Sequence, residues 1–125
     1  VHLAGESVAE GRWTAAKKAR IRDSRVGPTR KLAEAAAAAG VRTLVLASGV
    51  GCYGDRGDEP LDEASAPGSG FLADVCREWE AAADPARDAG ARVVHVRVGV
   101  VLSPKGGALA KQLPAFRVGG GAALG

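Results

Sequence analysis

The sequence predicts an α/β fold of the Rossmann-like, doubly wound parallel-sheet type, and two observations carry that prediction. Short, largely apolar runs with β-branched residues recur, two of them shortly after a glycine, and longer segments with helical spacing separate them. Strands covered on both faces read as continuous apolar runs, whereas helices read as stripes at three- and four-residue intervals. Strands alternating with helices in this way form right-handed βαβ units with helices on the sheet faces.

In chain order, Val1-His2-Leu3 is expected to be the tail of a strand. A helix is expected over residues 29–39, where Leu32, Ala35, Ala36 and Ala39 share a face and Gly40 offers a left-handed stop. Leu44-Val45-Leu46-Ala47 reads as the next strand. Between Ser69-Gly70 and Gly90, the residues Phe71, Leu72, Val75, Cys76, Trp79, Ala82 and Ala83 recur at helical intervals. Pro85 is expected to kink or break that helix near Asp84. Val93-Val94-His95-Val96-Arg97-Val98 then reads as the last strand.

Ligands of such sheets bind outside the carboxyl ends of the strands. The segments to weigh are therefore Leu3-Ala4-Gly5-Glu6-Ser7, Ser48 through Asp55, and Gly99 through Ser103. Small residues there let a flat ring or a ribose approach the backbone, and the competing reading is a set of tight turns. The acidic loop Asp55 to Glu63 follows a strand end and is a candidate to face substrate, although its paired carboxylates read equally as a solvated surface.

At 125 residues, 46% hydrophobic and 25% charged, the chain fits one globular domain and excludes the disordered and membrane-spanning classes. An opening on Val1 without methionine and a glycine-rich close lead us to expect an internal piece of a longer protein. The net charge of +3 gathers between Arg12 and Lys31. No recognition motif accompanies it, so a solvated helix face is preferred to a nucleic-acid surface. Two cysteines, Cys52 and Cys76, have no zinc spacing, and His2 and His95 have no ligand-spaced partners. A reduced, cytoplasmic protein with no metal site and no membrane partner is expected, and its oligomeric state stays open.

Several runs carry a family resemblance: His2-Leu3-Ala4-Gly5-Glu6, Ser24-Arg25-Val26, Ala47-Ser48 through Tyr53-Gly54-Asp55, Phe71-Leu72-Ala73 with Trp79-Glu80, and Arg97-Val98-Gly99 with Leu102-Ser103. In their order and spacing the sequence resembles the NAD(P)-dependent epimerase/dehydratase-like branch of the short-chain dehydrogenase/reductases, in particular an atypical bacterial group. The resemblance implies that residues 1–125 form the central and later part of one NAD(P)-binding Rossmann domain, from its fourth to its sixth strand. It implies cofactor contact, with NAD or NADP, at Leu3, Ala4, Gly5, Ser48, Arg97, Val98 and Gly99. The glycine-rich pyrophosphate turn of the family does not occur in the chain.

The catalytic carry-over is incomplete. Members of the family use a tyrosine, a lysine four residues later, and a serine or threonine. The helix from Phe71 offers Phe71 with Val75 or Leu72 with Cys76 in the first two places, and the usual serine position falls on Gly49 beside Ser48. Ser48 and Tyr53 are the remaining catalytic candidates, and Tyr53 reads either as an alternative acid or as a structural turn residue. Cys52 reads as a reactive or a merely small, buried thiol. The resemblance thus implies an NAD(P)-binding, epimerase/dehydratase-like oxidoreductase with a non-standard active site and a small-molecule substrate. A catalytically silent nucleotide-binding module with a scaffold or regulatory role is the alternative.

Overall fold

The computed structural model describes residues 5–121, so the expected strand at Val1-His2-Leu3 and the cofactor candidates Leu3 and Ala4 lie outside the described residues. The first helix, α1, spans Ala15–Ala38, and the Thr14 hydroxyl caps it by accepting from the Lys17 amide at 3.2 Å. The helix expected from residue 29 is therefore the second half of a longer one that passes through Pro28. A proline inside a helix costs about 3 kcal/mol. Burial on both sides of it offsets that cost, since Lys17 and Ile21 before it and Thr29, Ala33 and Ala36 after it form one buried stripe. The stripe shares Ala36 with the predicted face but is rotated from the rest of it, and Leu32 is 37% exposed. An alanine-rich run looks similar on every face, so the anchor that fixes the rotation is Ile21, upstream of the predicted start.

Strand β1 (Thr43–Gly49) follows, then a 3₁₀ turn (Val50–Tyr53), then helix α2 (Phe71–Ala81) and the short α3 (Asp84–Asp88). The predicted break occurs as expected: Pro85 sits in the first turn of α3, where its missing N–H costs nothing. Strand β2 (Arg92–Val98) pairs with β1 in parallel, with Leu44 beside Val93, Leu46 beside His95 and Ser48 beside Arg97. These six side chains share the face on which the helices pack. Ala33, Ala86 and Ala91 meet Leu44 and Val93 there, small residues that let helices and sheet approach closely. The opposite face is bare among the described residues, with Val45, Val96 and Val98 at 40%, 47% and 43% exposure, so the expected cover on both sides is present on one.

Polar clamps join α1 to α2. The Trp79 indole donates to the hydroxyl of fully buried Thr29 at 2.9 Å, Arg22 pairs with Glu78 at 2.5 Å, and the Arg25 guanidinium lies 5.4 Å from the Trp79 ring centre. The basic cluster is thus no uniformly solvated face. Lys17 is buried and bonded to Glu6 at 2.6 Å. A further helix, α4 (Gly107–Arg117), was not anticipated from sequence, and it buries no residue.

Candidate functional site

The site is built where the two strands end. After β1 the chain turns through Val50–Tyr53, leaves along residues 54–70 and returns to dock against its own departure point. The Gly68 amide donates to the Cys52 carbonyl at 2.9 Å, and a Cβ on Gly68 would stand 1.9 Å from the Tyr53 carbonyl oxygen. Only a glycine permits that backbone contact. Within the loop, Arg56 forks onto Glu59 at 2.8 and 2.7 Å and reaches the Ala66 carbonyl at 3.2 Å. Asp62 accepts from the Ala64 amide and the Ser65 hydroxyl at 3.0 and 2.9 Å, bonds that hold its carboxyl below the usual range. The loop thereby places Leu61, Asp62 and Glu63 in the wall of a cleft of about 660 Å³, with Val50, Tyr53, Glu80, His95, Val96 and Arg97 completing the lining.

Four polar side chains from β1, the turn, α2 and β2 interlock in this cleft. Arg97 presents its Nε and one terminal nitrogen to the two carboxylate oxygens of Glu80, at 3.0 and 2.9 Å. Its other terminal nitrogen donates to the Tyr53 hydroxyl oxygen at 2.9 Å, and the guanidinium lies 5.2 Å from the Tyr53 ring centre. From the β1 side, the Ser48 hydroxyl donates to Glu80 at 2.6 Å. Ser48 and Tyr53 are buried, at 4% and 8% exposure, while Arg97 and Glu80 are about three-quarters buried or more. A forked, charge-assisted pair in a partly desolvated place is among the stronger polar contacts a protein makes.

The electrostatics follow from these contacts. Burial alone would raise the Glu80 carboxyl, but the hydrogen bonds from Arg97 and Ser48 and the guanidinium charge outweigh it and leave it below its ordinary value. The bonds to Glu80 and then Tyr53 raise Arg97 far above any accessible pH. Burial lowers His95 against the pull of Glu80, so its imidazole stands neutral at pH 7. Burial also pushes the Cys52 and Cys76 thiols up, which makes Cys52 a small packed thiol rather than a reactive one.

The sequence-predicted residues divide accordingly. Ser48, Tyr53 and Arg97 come together in one network. The Val98 side chain and Gly99 stand at the exposed strand end, on or beside the bare face. Gly5 lies apart from them, against the Arg25 guanidinium, where an added Cβ would be 3.0 Å from the guanidinium carbon. Of the loop carboxylates, Asp62 and Glu63 line the cleft, and no group of side chains among the described residues is arranged to hold a metal ion. Glu80 and His95 were missed as site residues. A carboxylate four residues after Cys76, on the packed side of an amphipathic helix, is the signal that marks Glu80, since such a group needs a cation opposite.

Comparison with known proteins places the chain. Residues 1–117 match the model of the NAD dependent epimerase/dehydratase family. An epimerase family protein of Mycobacterium tuberculosis is 52% identical over 125 residues, which is all of this chain and 42% of that protein. The human epimerase family protein SDR39U1, solved with NADPH, superposes with a TM-score of 0.78 at 35% identity over 94% of this chain and 41% of its own. A crystal structure described as a nucleoside-diphosphate sugar epimerase from Corynebacterium glutamicum superposes with a TM-score of 0.75 at 50% identity, over 86% of this chain and 24% of its own. The chain therefore spans about two fifths of the length of the curated relatives it matches, 42% in the mycobacterial case. It belongs to the NAD dependent epimerase/dehydratase family.

Proposed function

We propose that the chain is the later part of an NAD(P)-binding, epimerase/dehydratase-like oxidoreductase that acts on a small alcohol or carbonyl compound with a non-standard active site. The observation that carries this reading is its likeness, at 35% identity, to a protein solved with NADPH. The residues at the strand ends fit a nicotinamide nucleotide. A Cβ on Gly99 would meet nothing within 4 Å, one on Gly49 would make only ordinary contact, and exposed Val98 and Val100 flank them, so a flat ring has room to lie against the backbone. Gly5, Ser48, Arg97, Val98 and Gly99 are the proposed contacts, and the bound nucleotide would supply the hydride chemistry. Because the Arg97 side chain is committed to Glu80 and Tyr53, its contribution is through backbone and orientation.

Ser48 and Tyr53 are the proposed polar groups of the reaction. A second reading rests on a specific feature: α2 offers Phe71 with Val75 or, one residue on in register, Leu72 with Cys76 where the family places its tyrosine and lysine, which favours a silent nucleotide-binding module. A cytoplasmic setting agrees with the two free cysteines, and no described helix is long and apolar enough to cross a membrane.

Calorimetric titration with NADPH and NADH, followed by a carbonyl panel read by nicotinamide absorbance, tests the proposal. Binding with turnover supports the enzyme, binding without turnover anywhere in the panel supports the module, and no binding overturns both. The chain lacks the glycine-rich turn whose backbone amides hold pyrophosphate. It is therefore expected to bind at least about a hundredfold more weakly than a longer parent protein that carries this turn, a difference of about 3 kcal/mol.

A further inference from the structure

We propose that Glu80 is a positioning residue: it holds Arg97 so that the Tyr53 phenol oxygen is fixed as an acceptor and the Tyr53 O–H is turned away from Arg97, free to donate to a ligand oxygen in the cleft. The inference rests on reading that cleft as a ligand site, as above. Its physical basis is donor and acceptor counting. A guanidinium has N–H donors and no acceptor, so it can give a hydrogen bond to the phenol and never receive one. With the third arm of Arg97 on the Tyr53 oxygen at 2.9 Å, the phenol proton has to point elsewhere. The Cys52 thiol faces the same hydroxyl but is a weak acceptor, so a carbonyl or hydroxyl oxygen entering the cleft is the better partner.

Glu80 is what makes the arrangement rigid. Arginine is long and samples many rotamers, and the fork onto both carboxylate oxygens removes that freedom. Ser48 fixes Glu80 in turn, donating at 2.6 Å to the oxygen that also receives the Arg97 Nε. The chain of contacts runs from β1 through α2 to β2 and returns to the turn that follows β1. The guanidinium also lies over the phenol ring, 5.2 Å from its centre, which further limits how either group can turn.

Tyr53 is the single tyrosine of the chain, so a spectroscopic probe of tyrosine reads it alone. The tyrosine doublet in the Raman spectrum distinguishes a phenol oxygen that accepts a strong hydrogen bond from one that only donates. The wild-type chain is expected to give the acceptor pattern. Glu80→Gln, whose amide would turn a donor toward the guanidinium, is expected to lose that pattern while circular dichroism reports the fold intact. Arg97→Met, which keeps the length of the side chain but removes every N–H donor, is expected to lose it as well and decides the matter if Glu80→Gln fails to fold. A donor-only pattern in the wild type, or an unchanged doublet in either folded variant, overturns the proposal. The NADPH titration is a separate measurement: a doublet that responds in a chain that binds no nucleotide upholds the positioning role and removes the functional reading.

Discussion

At the scale of the residue, Glu80 and His95 give the site an acid sensitivity in two stages. The folded pKa of His95 is lowered, chiefly by burial, so the unfolded chain takes up its proton first. Stability is then full above the unfolded histidine value of about 6.5 and declines as pH falls below it toward the folded value. The folded pKa of Glu80 is also lowered, here by Arg97 and Ser48 against the cost of burial, so its contribution is full above about 4.3 and is lost as pH falls through its lower folded value. Melting temperatures across this range should decline in those two steps. His95→Gln is expected to flatten the upper step alone and Glu80→Gln to shrink the lower one, which Asp62 and Glu6 share; identical profiles for the variants and the wild type would contradict the assignment. Ser48, Tyr53 and Arg97 were legible in the sequence because strand ends are where ligands of parallel sheets bind. What each of them touches was not legible, because the partner, Glu80, sits on a helix 17 residues from Arg97 and 32 from Ser48 in sequence, and periodicity does not encode such pairings.

At the scale of the element, the strands and the broken second helix were legible because β-branched runs, glycine stops and a proline each act locally. The length of α1 was not, since Pro28 argues for a boundary that tertiary burial overrides, and the predicted alanine face was rotated because nothing within residues 29–39 anchors it. The loop of residues 54–70 shows the same limit. Its acidic composition was plain, but the docking of Gly68 onto the turn depends on a contact between segments about 15 residues apart. Gly68→Ala should therefore destabilise the chain by about 2–3 kcal/mol, as overpacking does where backbone meets backbone. Gly99→Ala, with open space around its Cβ, should be close to neutral. Urea unfolding midpoints of the two variants check this; equal midpoints would mean that the loop does not dock as described.

At the scale of the whole molecule, the parallel α/β architecture and the family were both legible, the first from alternating periods and the second from runs of matched residues spread over the chain. The sheet is two-stranded among the described residues and carries helices on one face only, which leaves Val45, Val96 and Val98 uncovered, the last of them at the end where the cofactor is proposed to lie. The central claim is that the carboxyl ends of β1 and β2 form part of a nicotinamide nucleotide site. Titrating NADPH into isotope-labelled protein while recording amide resonances tests it directly, because the method tolerates the weak binding expected of this chain. The account predicts concentration-dependent shifts at Gly5, Ser48, Gly49, Val98 and Gly99, with the Arg30 and Lys31 amides of α1 unmoved. Shifts confined to the basic residues of α1, or none at the strand ends at saturating nucleotide, would contradict it.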